Sequence, residues 1–110
     1  MNRLGVLGEK QAKDFLIKNK YKIIKTNYTC PVGEIDIIAK QKDVIVFVEV
    51  KTRTSAKFGL PRESVTPFKQ NKIRSVATCY LKENMLLNSP VRFDVIDILE
   101  GNITHIPNAF

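Results

Sequence analysis

The sequence predicts an α/β domain, a mixed β-sheet flanked by helices in the order α-β-β-β-α-β-β. Three observations lead there. Two segments carry apolar residues at helical spacing, one at the start and one past the middle. Between them, three strand-like runs follow one another with short polar links. The third of these, Val-Ile-Val-Phe-Val over residues 44–48, is apolar on both faces, as in a strand covered from both sides. No repeat, low-complexity stretch or Pro/Gly-rich linker marks a boundary, so residues 1–110 are read as one domain.

The first helix is expected over residues 4–20. At 100° per residue Leu4, Gly8, Ala12, Phe15 and Leu16 share a face, while Lys10, Lys13 and Lys18 point away. Glu9 falls at the margin of that face, an acid out of pattern. Residues 22–28 form a first strand, and Cys30-Pro31-Val32-Gly33 has turn chemistry. Residues 34–40 form a second strand, 41–43 a polar loop and 44–51 a third strand. Residues 52–63 read as a loop. Thr66 then caps a second helix with Pro67 at its first position, and Ile73, Val76, Ala77, Tyr80 and Leu81 form its apolar stripe. A fourth strand covers 91–99. Gly101-Asn102 is read as a hairpin turn into an edge strand over 103–106, stopped by Pro107.

The apolar share of 44% argues against disorder. The net charge of +7 implies a polyanionic partner, nucleic acid first and an anionic membrane surface second. The charge is uneven. Lysines crowd the first quarter, Lys51, Arg53, Lys57 and Arg62 follow the central strand, and Lys69, Lys72 and Arg74 open the second helix. Two cysteines and one histidine provide neither a disulfide framework nor zinc-ligand spacing. No apolar run approaches membrane-span length, and charges interrupt the first apolar stretch too early for a signal peptide. The expectation is a cytoplasmic protein with reduced thiols.

The chemistry centres on the end of the third strand. Residues two apart in a strand share a face, so Glu49 and Lys51 project together. Asp36 lies in the preceding strand. A hairpin register that pairs Asp36 with Glu49, or slips by two, keeps both acids on one face. A slip of one residue separates them onto opposite faces. Two carboxylates meeting on one face repel, and a divalent cation such as Mg²⁺ or Mn²⁺ removes the repulsion. Glu9 would supply a third acid, and Lys51 would orient a water or hold a phosphate oxygen. The competing reading is a surface salt bridge between Glu49 and Lys51. Two facts favour the chemical reading: the charges interrupt a buried strand, and a basic loop follows at once.

The set Glu9, Asp36 and Glu49-Val50-Lys51 resembles the PD-(D/E)xK, or restriction-endonuclease-like, superfamily. The chain as a whole resembles the YraN family of small bacterial proteins. That resemblance runs through Gly8-Glu9, Asn27, Gly33-Glu34-Ile35-Asp36, Phe47 to Lys51, Arg53, Gly59, Lys69, Arg92-Phe93-Asp94 and Asn108-Ala109-Phe110. It implies a restriction-endonuclease-like fold similar to the archaeal Holliday-junction resolvases. There an acid on the first helix joins an Asp and a Glu-x-Lys pair on the hairpin, matching Glu9, Asp36, Glu49 and Lys51. Ile35 stands where many members carry proline.

Around this site Arg53, Lys57 and Arg62 suit phosphate contacts from a loop. Lys69 and Lys72, read as lying off the apolar stripe, suit the same role near the helix N-terminus. Tyr28, Phe58 and Tyr80 are candidate base-stacking rings, with core packing the stronger expectation for Tyr80. Asp94 reads as structural, His105 as a plain edge-strand residue and the cysteines as small core fillers. The functional expectation is a Mg²⁺-dependent endonuclease of repair or recombination type on structured or branched DNA. RNA is the alternative substrate, and a symmetric dimer would allow paired cuts. The alternatives are a nucleic-acid-binding module without turnover and a protein-interaction domain on a nuclease-like fold.

Overall fold

A computed structural model describes residues 3–54 and 65–110. Lys57, Arg62 and Phe58 lie outside the described residues. The elements are α1 (Arg3–Lys18), β1 (Lys22–Cys30), β2 (Gly33–Gln41), β3 (Val44–Arg53), α2 (Pro67–Glu83), β4 (Val91–Leu99) and β5 (Asn102–Ile106). This is the expected order of helices and strands. The five strands form one sheet in the order β1-β2-β3-β4-β5. All neighbours are antiparallel except β3 and β4, which run parallel and are joined through α2.

Each helix covers one face. Ala12 and Leu16 of α1 pack on Ile37, Ala39, Val46, Val48, Ile96 and Ile98. On the other face Ile73, Val76, Ala77, Tyr80 and Leu81 of α2 pack on Ile38, Ile45, Phe47 and Val95. Val46 to Val48 are fully buried because β3 contributes to both cores. The stripe expected for α2 is the set of residues it buries, and Thr66 caps it by accepting from the Lys69 amide.

Several boundaries differ: β2 takes in Gly33 and Gln41, and Thr52 and Arg53, read as loop, extend β3 because they pair with Ile98 and Leu99. Lys20 turns left-handed at φ 70, which ends α1 early. Leu4 is 44% exposed, so the apolar face of α1 becomes buried only from Gly8 onward. Cys30 pairs with Gly33, which narrows the first turn to Pro31-Val32. The last hairpin turns at Glu100-Gly101, with φ of 50 and 82, because the favoured two-residue turn needs two left-handed residues. Asn102 already pairs with Leu99.

Gly8 seats α1. A Cβ at this position would collide with the Thr52 side chain at the end of β3. Only glycine lets the helix come this close.

Candidate active site

The hairpin of β2 and β3 sets the site. Ile37 pairs with Val48 and Gln41 with Val44. Continued one step outward, this register sets Asp36 opposite Glu49. Both belong to the face that Ile38 and Phe47 present to α2. Past Ile37 the Asp36 side chain becomes the acceptor itself, and the Val50 amide donates to its Oδ2 at 2.8 Å. Glu49 is 7% exposed. Lys51, two residues on, is half-buried.

The far wall is the first turn of α2. Lys69 places its Nζ 2.9 Å from Glu49 Oε2. Lys69 sits four residues before Ile73 and seven before Val76, so it extends the apolar stripe. The sequence reading of Lys69 as off the stripe is corrected by this spacing, which aims its ammonium inward. Asp36, Glu49, Lys51, Lys69, Lys72 and Phe68 line a cleft of about 460 Å³.

The electrostatics are strained on the acid side. Burial, then the hydrogen bond and charge of Glu49, push the Asp36 carboxyl up to about 8. The Val50 amide opposes this, and the charge of Glu9 adds to it. On the basic side, burial and the adjacent Lys69 lower the Lys51 ammonium. Burial is the largest single influence on Lys69 and works against its charge, but the hydrogen bond and charge of Glu49, with Lys51 and Asp36, together outweigh it and raise the ammonium.

Asp36 and Glu49 are a donor set that suits a hard divalent cation. They are all-oxygen, adjacent and mutually repelling when both are ionised. Among the described residues no group of three or more acid, histidine or cysteine side chains converges. Glu9 lines a separate hollow of about 340 Å³ with Lys10, Lys13, Thr26 and Asn27. It acts on Asp36 through its charge.

Other assignments change in the folded chain. Arg53 forms an ion pair with nearly buried Asp97, Nε to Oδ1 at 2.8 Å and Nη2 to Oδ2 at 3.1 Å. Its charge is committed within the sheet. Tyr28 and Tyr80 are buried and meet edge to face at 5.3 Å, so they are core rings. Asp94 is fully buried, as a structural residue should be. His105 is more than a plain edge residue, because its Nε2 lies 2.7 Å from Asp94 Oδ2. Only the register of β4 against β5 reveals that contact. Phe68 was not singled out from the sequence. Its signal was an aromatic residue off the stripe in the first turn of α2.

Among the described residues, no helix is long and apolar enough to cross a membrane. A family model described as "Uncharacterised protein family UPF0102" matches residues 8–98. A UPF0102 protein of Clostridioides difficile is 52% identical over 108 residues, covering 96% of this chain and 95% of its own length. One of Thermodesulfovibrio yellowstonii is 51% identical, covering 97% and 95%. One of Caldicellulosiruptor bescii is 48% identical, covering 96% and 92%. The chain belongs to the UPF0102 family.

Proposed function

We propose that this UPF0102 protein is a cytoplasmic, divalent-metal-dependent endonuclease of restriction-endonuclease-like type, acting on structured or branched DNA. The observation that carries the reading is the Asp36–Glu49 pair. Two acids face each other on one side of a sheet, in a cleft that is also lined by Lys51, Lys69 and Lys72 and by a third acid, Glu34. A hydrophobic core has no use for that repulsion, whereas phosphodiester hydrolysis does.

Asp36 and Glu49 would hold Mg²⁺ or Mn²⁺, which supplies an acidified water and neutralises charge on the phosphate. Glu9 tunes this pair through its charge. Lys51, partly desolvated, offers a short-range positive charge for a water or a non-bridging phosphate oxygen. Lys72, exposed at the rim, suits backbone phosphate contact. A symmetric dimer would set two such clefts on a branched substrate.

The ion pair between Lys69 and Glu49 favours a second reading. It already neutralises one carboxylate, as a binding module without turnover would require. Cleavage separates the two. Labelled duplex, flap, junction and RNA substrates are incubated with Mg²⁺, Mn²⁺ or EDTA, beside Asp36→Asn. Metal-dependent cutting that Asp36→Asn abolishes supports the nuclease. Salt-sensitive binding with no cutting supports the module.

A further inference from the structure

Phe68 has no role in either core cluster. It is 77% exposed, and none of the other large apolar side chains exposed among the described residues is aromatic. It stands on the lip of the cleft that holds Asp36, Glu49 and Lys51. Lys69 follows it in the chain. Lys72, one helical turn on, sets its Nζ 5.9 Å from the ring centroid. A solvent-facing ring costs free energy unless something covers it. Here it is interleaved with ammonium groups beside the cleft of acids and lysines.

We infer that Phe68 is a stacking platform for one unpaired nucleobase next to the phosphate held in the cleft, with Lys72 bracing the ring and meeting the backbone. This rests on the nuclease reading for the identity of the cleft and adds a substrate class to it. Aromatic faces with adjoining lysines bind single strands because every base has a π-face. A base inside a duplex is already stacked on its neighbours and presents only its edges and backbone. The selected substrate is therefore DNA that is locally unpaired where it enters the cleft, such as a flap, gap or branch point.

The test reads binding in EDTA, so that it does not depend on turnover. 2-Aminopurine is placed either as an unpaired flap base or within a duplex, and its fluorescence is followed on titration with the full chain. Quenching is expected for the unpaired base and not for the paired one. Phe68→Ala should remove the quenching and weaken flap binding roughly 5- to 100-fold, while duplex binding and the salt slope stay as in wild type. Phe68→Tyr should restore both. Equal flap affinity for wild type and Phe68→Ala would overturn the inference and leave the nuclease reading intact. Absence of DNA binding would overturn it as well. Quenching that depends on Phe68 in a protein that cuts none of the substrates would sustain the platform and sink the nuclease.

Discussion

Asp94 and Asp36 are carboxylates of one sheet, and their surroundings treat them in opposite ways. Asp94 lies beneath α1, where its partner His105 meets the Phe15 ring. Arg92 grips it with two donors, Nε to Oδ1 at 2.8 Å and Nη2 to Oδ2 at 2.9 Å. His105 Nε2 lies at 2.7 Å, and the Asn108 amide donates at 3.0 Å. Arg92 is itself held by Tyr21 and Gln41. Burial alone would raise the Asp94 carboxyl, but these partners lower it. Asp36, less buried, faces another acid and is pushed up to about 8. Burial raises both, so it does not decide the outcome. The donors supplied by the rest of the fold do. A fully satisfied acid pins structure, and an under-satisfied one is poised to bind.

The largest effect should come from breaking the satisfied side. Asp94→Ala leaves Arg92 without its counter-charge in a mostly buried setting. Urea unfolding should show a loss of about 3–5 kcal/mol. Asp36→Asn, by contrast, should leave the metal-free protein no less stable. If the two variants lose stability equally, the contrast between the centres is wrong.

Next in size is the response to metal. Mg²⁺ or Mn²⁺ should raise the melting temperature, with a gain of about 2.7 kcal/mol at one hundred times the dissociation constant. Asp36→Asn should abolish the shift together with cleavage. Lys51→Ala should keep the shift and lose cleavage, since an ammonium does not ligate a cation.

A separate effect is expected from pH in EDTA. Asp36 is raised in the folded state, so its contribution is greatest below the ordinary carboxylate pKa. It is lost as pH rises toward about 8. Asp94 is lowered, so its contribution is present above the ordinary value and is lost in acid. The stability advantage of Asp36→Asn over wild type should thus grow from pH 4 to pH 8. The deficit of Asp94→Ala should shrink on acidification. A flat difference between Asp36→Asn and wild type would contradict the picture of a strained acid pair.

The smallest effect separates rim lysines from paired arginine. Lys72→Ala should reduce the salt slope of DNA binding by about one and weaken all sequences alike. Arg53→Ala should lower stability, because it strips Asp97 of its partner, and change the salt slope little. A large slope change on Arg53→Ala would mean that its pair with Asp97 opens to meet phosphate.

Local pattern was enough for much of this protein. The alternation Glu49-Val50-Lys51 put two charges on one face, the stripe from Ile73 to Leu81 oriented α2, and Thr66-Pro67 marked its start. These depend on periods of two and 3.6 residues and on one capping side chain, all within a few positions of the chain. Pairings between distant segments needed the tertiary structure. The two-residue turn at Lys42-Asp43 selected the parity that brings Asp36 to Glu49. Gly8 against Thr52 seated α1, and the β4–β5 register carried His105 to Asp94. The docking of α2 gave Glu49 its lysine and left Phe68 in solvent. Partners far apart in sequence leave no periodic trace, because their meeting is set by which chain ends close together and which faces then bury each other.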